Sequence, residues 1–209
     1  MNPLFDAWYR LAGGAPAAAA ILAAILAVSI AGLSFAPRII ERNLFRPYWL
    51  ARKQNYSTWV TSGFIHADYG HLLFNSLTFW SFGFALERVM GSPGFLALYF
   101  AGLVVSDVGT YFKQRNNPDY ASLGASGAIL AVLFASIIYF PTQSLYILPI
   151  PFPIPAPLFA VGYLAYTIYA ARRAQGRINH DAHLGGAIAG VLFVALTDPS
   201  ALQRALRLL

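Results

Sequence analysis

Leu123-Gly124-Ala125-Ser126-Gly127-Ala128 sets a single hydroxyl between two glycines, at the head of a run that stays uncharged to Phe140. A helix starting here aims the unpaired N–H groups of its first turn, and the positive end of its dipole, at whatever meets Ser126. That is a place for developing negative charge. Gly124 and Gly127 lack a Cβ, which lets another backbone, or a substrate's, approach the hydroxyl. Small residues also serve helix packing inside membranes, so the choice between chemistry and packing falls to the surrounding chain.

That chain is 209 residues long, 58% hydrophobic and 11% charged, against roughly 45–50% apolar and 25% charged in soluble domains. It reads as an all-α polytopic membrane protein. With no cysteine, disulfides, thiolate metal sites and a cysteine nucleophile are excluded. The net charge of +6 comes from basic residues scattered through short connectors. Anionic headgroups of the lipid bilayer are therefore the expected partners, and nucleic acid is not.

Outward from Ser126, six apolar runs appear. Ala17 to Ala36 is 20 uncharged residues, which at about 1.5 Å each matches the ~30 Å hydrocarbon core. A signal peptide is the rival reading, but its apolar core runs only about 7–15 residues. The long connector 37–65 interleaves Arg38, Arg42, Arg46, Arg52 and Lys53 with Phe45, Tyr48, Trp49, Tyr56 and Trp59, as suits a segment lying in the headgroup zone. The second run, 71–88, ends at Glu87-Arg88, read as an interfacial structural pair. Gly91-Ser92-Pro93-Gly94 reads as a turn before the third, 95–112, whose Asp107 is assigned to the interface or to helix packing. Prolines at 141, 149, 151, 153, 155 and 157 divide a long uncharged stretch into runs 125–140 and 157–171 with an extended turn between. The last run, 183–197, follows a basic connector, Arg172-Arg173 to Arg177. The runs beginning at Ser126 and His183 are short, so those helices are expected to start below the membrane surface around a water-filled cavity.

Polar groups inside these runs are few. His71 and Asn75 lie four residues apart on one helical face, a paired donor site. Gly186 and Gly190 form a Gly-x-x-x-Gly stripe for close packing, and Gly127 with Ala131 offers a matching face. Such packing brings His183 beside Ser126. A serine attacks well only when a base takes its proton, and imidazole suits that task at neutral pH. The expected pair is Ser126 and His183, with His71, Asn75 and the Ser126 N–H donating to the oxyanion. Asp181 falls off the His183 face, so a dyad is expected rather than a triad. No cofactor or metal is called for.

Taken together, His66-x-x-x-x-His71-x-x-x-Asn75, Glu87-Arg88, Gly124-Ala125-Ser126-Gly127 and Ala182-His183-x-x-Gly186-x-x-x-Gly190 resemble the rhomboid intramembrane serine proteases across the whole chain. The resemblance implies a single six-span domain over 1–209, Ser126 as nucleophile, His183 as base, and His71 with Asn75 as oxyanion donors. It implies a supporting role for His66, and transmembrane protein substrates cut where a helix unwinds. Two departures stand out. The family's Trp-Arg in the first connector is Trp59-Val60, and Leu130 occupies a position where an aromatic often stacks under the histidine.

Two other readings stay open. His66, His71, His180 and His183, with Asp181, would be the ligands of a membrane zinc hydrolase, although no His-Glu-x-x-His spacing is present. A rhomboid-like chain that binds helices without cutting them is the second. Orientation sets two arguments against each other. One side of a six-span chain carries four cations, Arg10, Arg88, Arg204 and Arg207; the other, nearest Ser126, carries ten. The positive-inside rule puts that second side in the cytoplasm. The resemblance implies an active site opening to the extracytoplasmic face of a plasma membrane. Oligomeric state is not legible.

Overall fold

A computed structural model describes residues 9, 12–147, 151–173 and 178–208. Most of the N-terminal arm, with Arg10, and Arg177 of the basic connector lie outside the described residues.

Helix α1 spans Pro16–Ser34. Proline suits its first turn because the missing N–H has no partner there anyway. No neighbouring side chain caps α1; the cap comes from far along the chain. Glu87, 1% exposed, accepts from Ala17 N at 3.0 Å and Ala18 N at 2.6 Å. Arg88 Nε donates to Gly13 O at 2.7 Å. The expected Glu87-Arg88 pair is thus structural, but both members hold the entry to α1 rather than each other, because orphan N–H groups and a helix dipole attract a carboxylate.

The connector folds into three short helices, α2 (Arg38–Asn43), α3 (Pro47–Leu50) and α4 (Thr58–Thr61), and a 3-10 turn over Ser62–Phe64. It is docked on protein by particular contacts. Phe45 exchanges backbone hydrogen bonds with Ser122 at 2.9 and 3.0 Å. Trp59 Nε1 donates to Val104 O at 2.9 Å, and its ring meets Phe45 and Tyr111 at 5.6 and 5.3 Å. The indole therefore supplies an anchor where Val60 replaces the family's arginine.

Helix α5 runs Tyr69–Gln114, with Asp68 accepting from His71 N at its start. It is not straight. Gly91 has φ 76° and ψ 157°, and Phe79 sits 6.0 Å from the Phe95 ring and 5.6 Å from that of Tyr99. In one straight helix, residues so far apart in sequence would be separated by more than ~20 Å. The chain therefore doubles back at Gly91, giving segments 69–90 and 92–114. The expected turn over 91–94 shrinks to Gly91, since Pro93 is tolerated in a first helical turn.

Helix α6, Ser126–Tyr139, is buried from Gly127 to Ile138. Within the proline-rich stretch, whose residues 148–150 with Pro149 lie outside the described residues, β1 (Ser144–Leu145) pairs antiparallel with β2 (Ile154–Pro155) before α7 (Ala156–Arg173). Helix α8 is His180–Thr197 and α9 is Pro199–Arg207. α8 begins three residues before the expected 183, because Asn179 caps it through the Ala182 N–H at 3.1 Å. At 18 residues it is not short; the short helix is α6, at 14. The described chain is mostly helical, and α1, α5 and α8 are long and apolar enough to cross a membrane.

The stripes expected to pack do so. A Cβ on Gly186 would overlap Gly127 O, and one on Gly190 would overlap Ala131 O. α8 thus lies backbone to backbone on α6. At one end of the bundle, Lys113 Nζ reaches Ala171 O at 3.1 Å and Asp181 at 2.7 Å, and Thr110 donates to Asn179 Oδ1 at 3.0 Å. Ser126 lies near this end.

Candidate active site

Ser126 is the first residue of α6, and no side chain caps that helix. The loop before it is fixed by the Phe45–Ser122 pairing and by Gly124 N donating to Ser62 O at 2.9 Å. His183, on the second turn of α8, places Nε2 at 2.9 Å from Ser126 Oγ. The contact follows from the close approach of α6 and α8. A hydroxyl and a base therefore meet at a helix N-terminus, beside first-turn N–H groups that carry no cap.

The glycines flanking Ser126 serve two different approaches. Gly124 has φ +117°, and a Cβ on it would lie 2.7 Å from His71 Cε1 and 3.0 Å from Nε2. Its bare backbone admits the His71 ring, with Asn75 Nδ2 a little beyond at 3.9 Å. Gly127 is met by the chain itself: a Cβ there would overlap Ser106. Of the two approaches read for these glycines, another backbone's or a substrate's, Gly127 shows the first, with Gly186 against its backbone.

His66 is fully buried just before α5. Asn75 Nδ2 lies 2.9 Å from His66 Nε2, and the His66 and His71 rings meet edge-on at 4.8 Å. Burial, and then the neighbouring His71, push the His66 imidazole down to about 3, so it is neutral at physiological pH. Asp181 is held by Lys113 at 2.7 Å. Among the described residues no three His, Asp or Glu side chains gather as a metal-binding group.

Two residues at the site were not anticipated. Tyr163 on α7 places its hydroxyl 3.0 Å from His183 Nδ1, and its ring packs on Phe134 and Phe159. It contacts the imidazole from another helix where Leu130 offers no aromatic. The sequence signal was a tyrosine one turn from Thr167 in an uncharged run, blurred by Tyr166 and Tyr169 beside it. Asp107, assigned to the interface or to helix packing, is 8% exposed, which fits the packing alternative. With Ser62, Ser106, Ser122, Ser126 and Asn179 it lines a cavity of about 20 Å³, room for roughly one water.

Tyr163→Phe keeps the ring and removes the hydroxyl. The expected result is a roughly tenfold fall in the reactivity of Ser126 towards a fluorophosphonate with little change in thermal stability, since one buried hydrogen bond is at stake. An unchanged reaction rate would separate Tyr163 from the site.

A family model, Rhomboid domain, matches residues 53–199. The chain is 30% identical over 137 residues to Rhomboid protein 1, mitochondrial, of Saccharomyces cerevisiae, covering 64% of this chain and 40% of that protein. It is 28% identical over 182 residues to RHOMBOID-like protein 12, mitochondrial, of Arabidopsis thaliana, covering 78% and 54%. It is 33% identical over 141 residues to Presenilin-associated rhomboid-like protein A, mitochondrial, of Danio rerio, covering 65% and 36%. The chain thus spans about half or less of the length of these relatives. All three carry mitochondrial names, which lend no support to the expected plasma membrane. The long apolar helices support an integral membrane protein.

Proposed function

The chain belongs to the rhomboid family, and on that premise we propose that it is an intramembrane serine endopeptidase acting on transmembrane protein segments. The observation that carries the proposal is the 2.9 Å approach of His183 Nε2 to Ser126 Oγ. In this reading His183 accepts the Ser126 proton at Nε2, so its Nδ1–H donates to the Tyr163 oxygen. Ser126 Oγ attacks the scissile carbonyl carbon, and the Ser126 N–H, His71 and Asn75 hold the oxyanion. The proton on His183 passes to the leaving amine as the C–N bond breaks. Water then hydrolyses the acyl-enzyme by the same route in reverse. Gly124, Gly127, Gly186 and Gly190 support the site by allowing the approaches it needs.

We propose six spans in a single membrane domain over 1–209: α1, the two segments of α5, then α6, α7 and α8. Substrate helices are expected to unwind near one end to reach Ser126. The test is labelling of membranes with an alkyl fluorophosphonate. The wild-type chain is expected to be labelled, and Ser126→Ala not. Labelling that persists in Ser126→Ala would remove the nucleophile, and a wild-type chain that never reacts would favour the non-cutting rhomboid-like reading.

For orientation we take the family's arrangement, with the site and the first connector on the extracytoplasmic side, against the charge count. Arginines in that connector can be held by lipid phosphates. With no native cysteine, single cysteines at Arg42 and Arg173 are expected to react with an impermeant maleimide in intact bacterial cells, and one at Arg207 only after permeabilisation. The reverse pattern would mean that the site opens to the cytoplasm.

A further inference from the structure

Ser29 lies in the C-terminal half of α1 and is fully buried. Its hydroxyl meets two groups: Phe64 O at 3.0 Å and His66 Nδ1 at 2.9 Å. A hydroxyl has one proton to give. A carbonyl can only accept, so Ser29 Oγ donates to Phe64 O and must accept from His66. The proton of the neutral His66 ring is therefore on Nδ1, and Nε2 is bare. That nitrogen accepts from Asn75 Nδ2 at 2.9 Å.

The polarity of this chain is fixed at every step. Asn75 N–H gives to His66 Nε2, His66 Nδ1–H gives to Ser29 Oγ, and Ser29 O–H gives to Phe64 O. All three side chains are buried, so water does not compete for them. The consequence lies at the far end. An asparagine amide can turn over and exchange its NH₂ for its oxygen at little cost unless its partners forbid it. A bare Nε2 forbids it here. The NH₂ group therefore stays on the side of Asn75 nearest Gly124 and His71, where its second N–H remains free to donate. Were His66 protonated on Nε2 instead, the amide oxygen would face that place and repel a developing oxyanion.

We propose that Ser29 is a positioning residue of the active site, acting through the His66 tautomer to hold the Asn75 amide as a donor. The proposal rests on the reading of Asn75 as an oxyanion donor. It gives the first helix, which contributes no group to the reaction, a determining part in the geometry of the site.

The test uses the full chain in lipid and an alkyl fluorophosphonate, whose tetrahedral adduct with Ser126 places an oxygen at the oxyanion position. The maximal inactivation rate and the half-saturating concentration are measured separately for Ser29→Ala, Ser29→Thr, Asn75→Ala and the Ser29→Ala/Asn75→Ala double variant. Ser29→Ala is expected to slow the maximal rate roughly tenfold with the half-saturating concentration unchanged. Ser29→Thr, which keeps the hydroxyl, is expected to stay within about twofold of wild type. The double variant should be no slower than Asn75→Ala alone, since both remove the same donor. Nitrogen-15 spectra of the histidine rings should show the His66 proton on Nδ1 in the wild type and moved to Nε2 in Ser29→Ala. If Asn75→Ala slows the reaction while Ser29→Ala does not, or slows it additively, the role of Ser29 is overturned and the oxyanion reading stands. If Asn75→Ala leaves the rate unchanged, the oxyanion reading itself fails and the proposal falls with it.

Discussion

Cleavage of a model transmembrane substrate is expected to fall by about four orders of magnitude or more in Ser126→Ala, with the protein still folded. His183→Ala should lose nearly as much, and the double variant little beyond either single one. The reason is that nucleophile and base act as one unit: without Nε2 the hydroxyl keeps its proton, and without Oγ the imidazole has nothing to deprotonate. Alanine at either position should leave the bundle standing. The α6–α8 contact rests on Gly127, Gly186, Ala131 and Gly190 rather than on the 2.9 Å hydrogen bond between the two side chains. The measurement pairs a cleavage assay with thermal unfolding in detergent. A few per cent of the wild-type rate surviving in Ser126→Ala would show that another group attacks. A cleavage loss matched by a collapse in unfolding temperature would show that these side chains hold the fold instead.

The parts of this site that could be read from the sequence are those whose signal is local. Ser126 stands out because a hydroxyl between glycines opens an apolar helix, and Gly186 and Gly190 because their spacing predicts a helix face. Placing His183 beside Ser126 needed only the inference that two small-residue faces pack together. Partners that meet across space left no such trace. Glu87 reads locally as the end of a span, yet its partners are the N–H groups of Ala17 and Ala18. Tyr163 reads as one of several tyrosines in α7, and its contact with His183 depends on how α7 lies on α8. Asp107 reads as interfacial or as a packing residue because it lies near the end of an apolar run, and nothing local shows that it lines the cavity beside Ser126. Helix ends show the same limit. A charge-free run begins α8 too late, since His180 and Asp181 already belong to the helix and Asn179 caps it.

The second large effect is expected from one added methyl group. In Gly186→Ala the new Cβ would overlap Gly127 O and lie 2.8 Å from Gly127 C and 3.1 Å from its Cα. All three are backbone atoms of α6, so no side chain can swing aside, and the two helices must separate. Overpacking of a close-packed site typically costs about 1–3 kcal/mol. The effect on chemistry should be larger than that on stability. Gly127 is the residue next to Ser126, so any separation of α8 from α6 at this point lengthens the 2.9 Å bond between His183 and Ser126. Displacements of about 1 Å at a reacting pair are enough for a hundredfold loss, which is the fall in substrate cleavage expected for Gly186→Ala. Gly109 and Gly162 supply the control, because a Cβ on either would meet nothing within 4 Å. Alanine at those two positions relieves the entropic cost of glycine in a helix, worth up to about 1 kcal/mol. Gly109→Ala and Gly162→Ala should therefore be as stable as the wild type or slightly more so, with cleavage intact. Equal behaviour of all three variants would mean that α6 and α8 are not held at backbone contact, and that the spacing of His183 and Ser126 is set by something other than glycine.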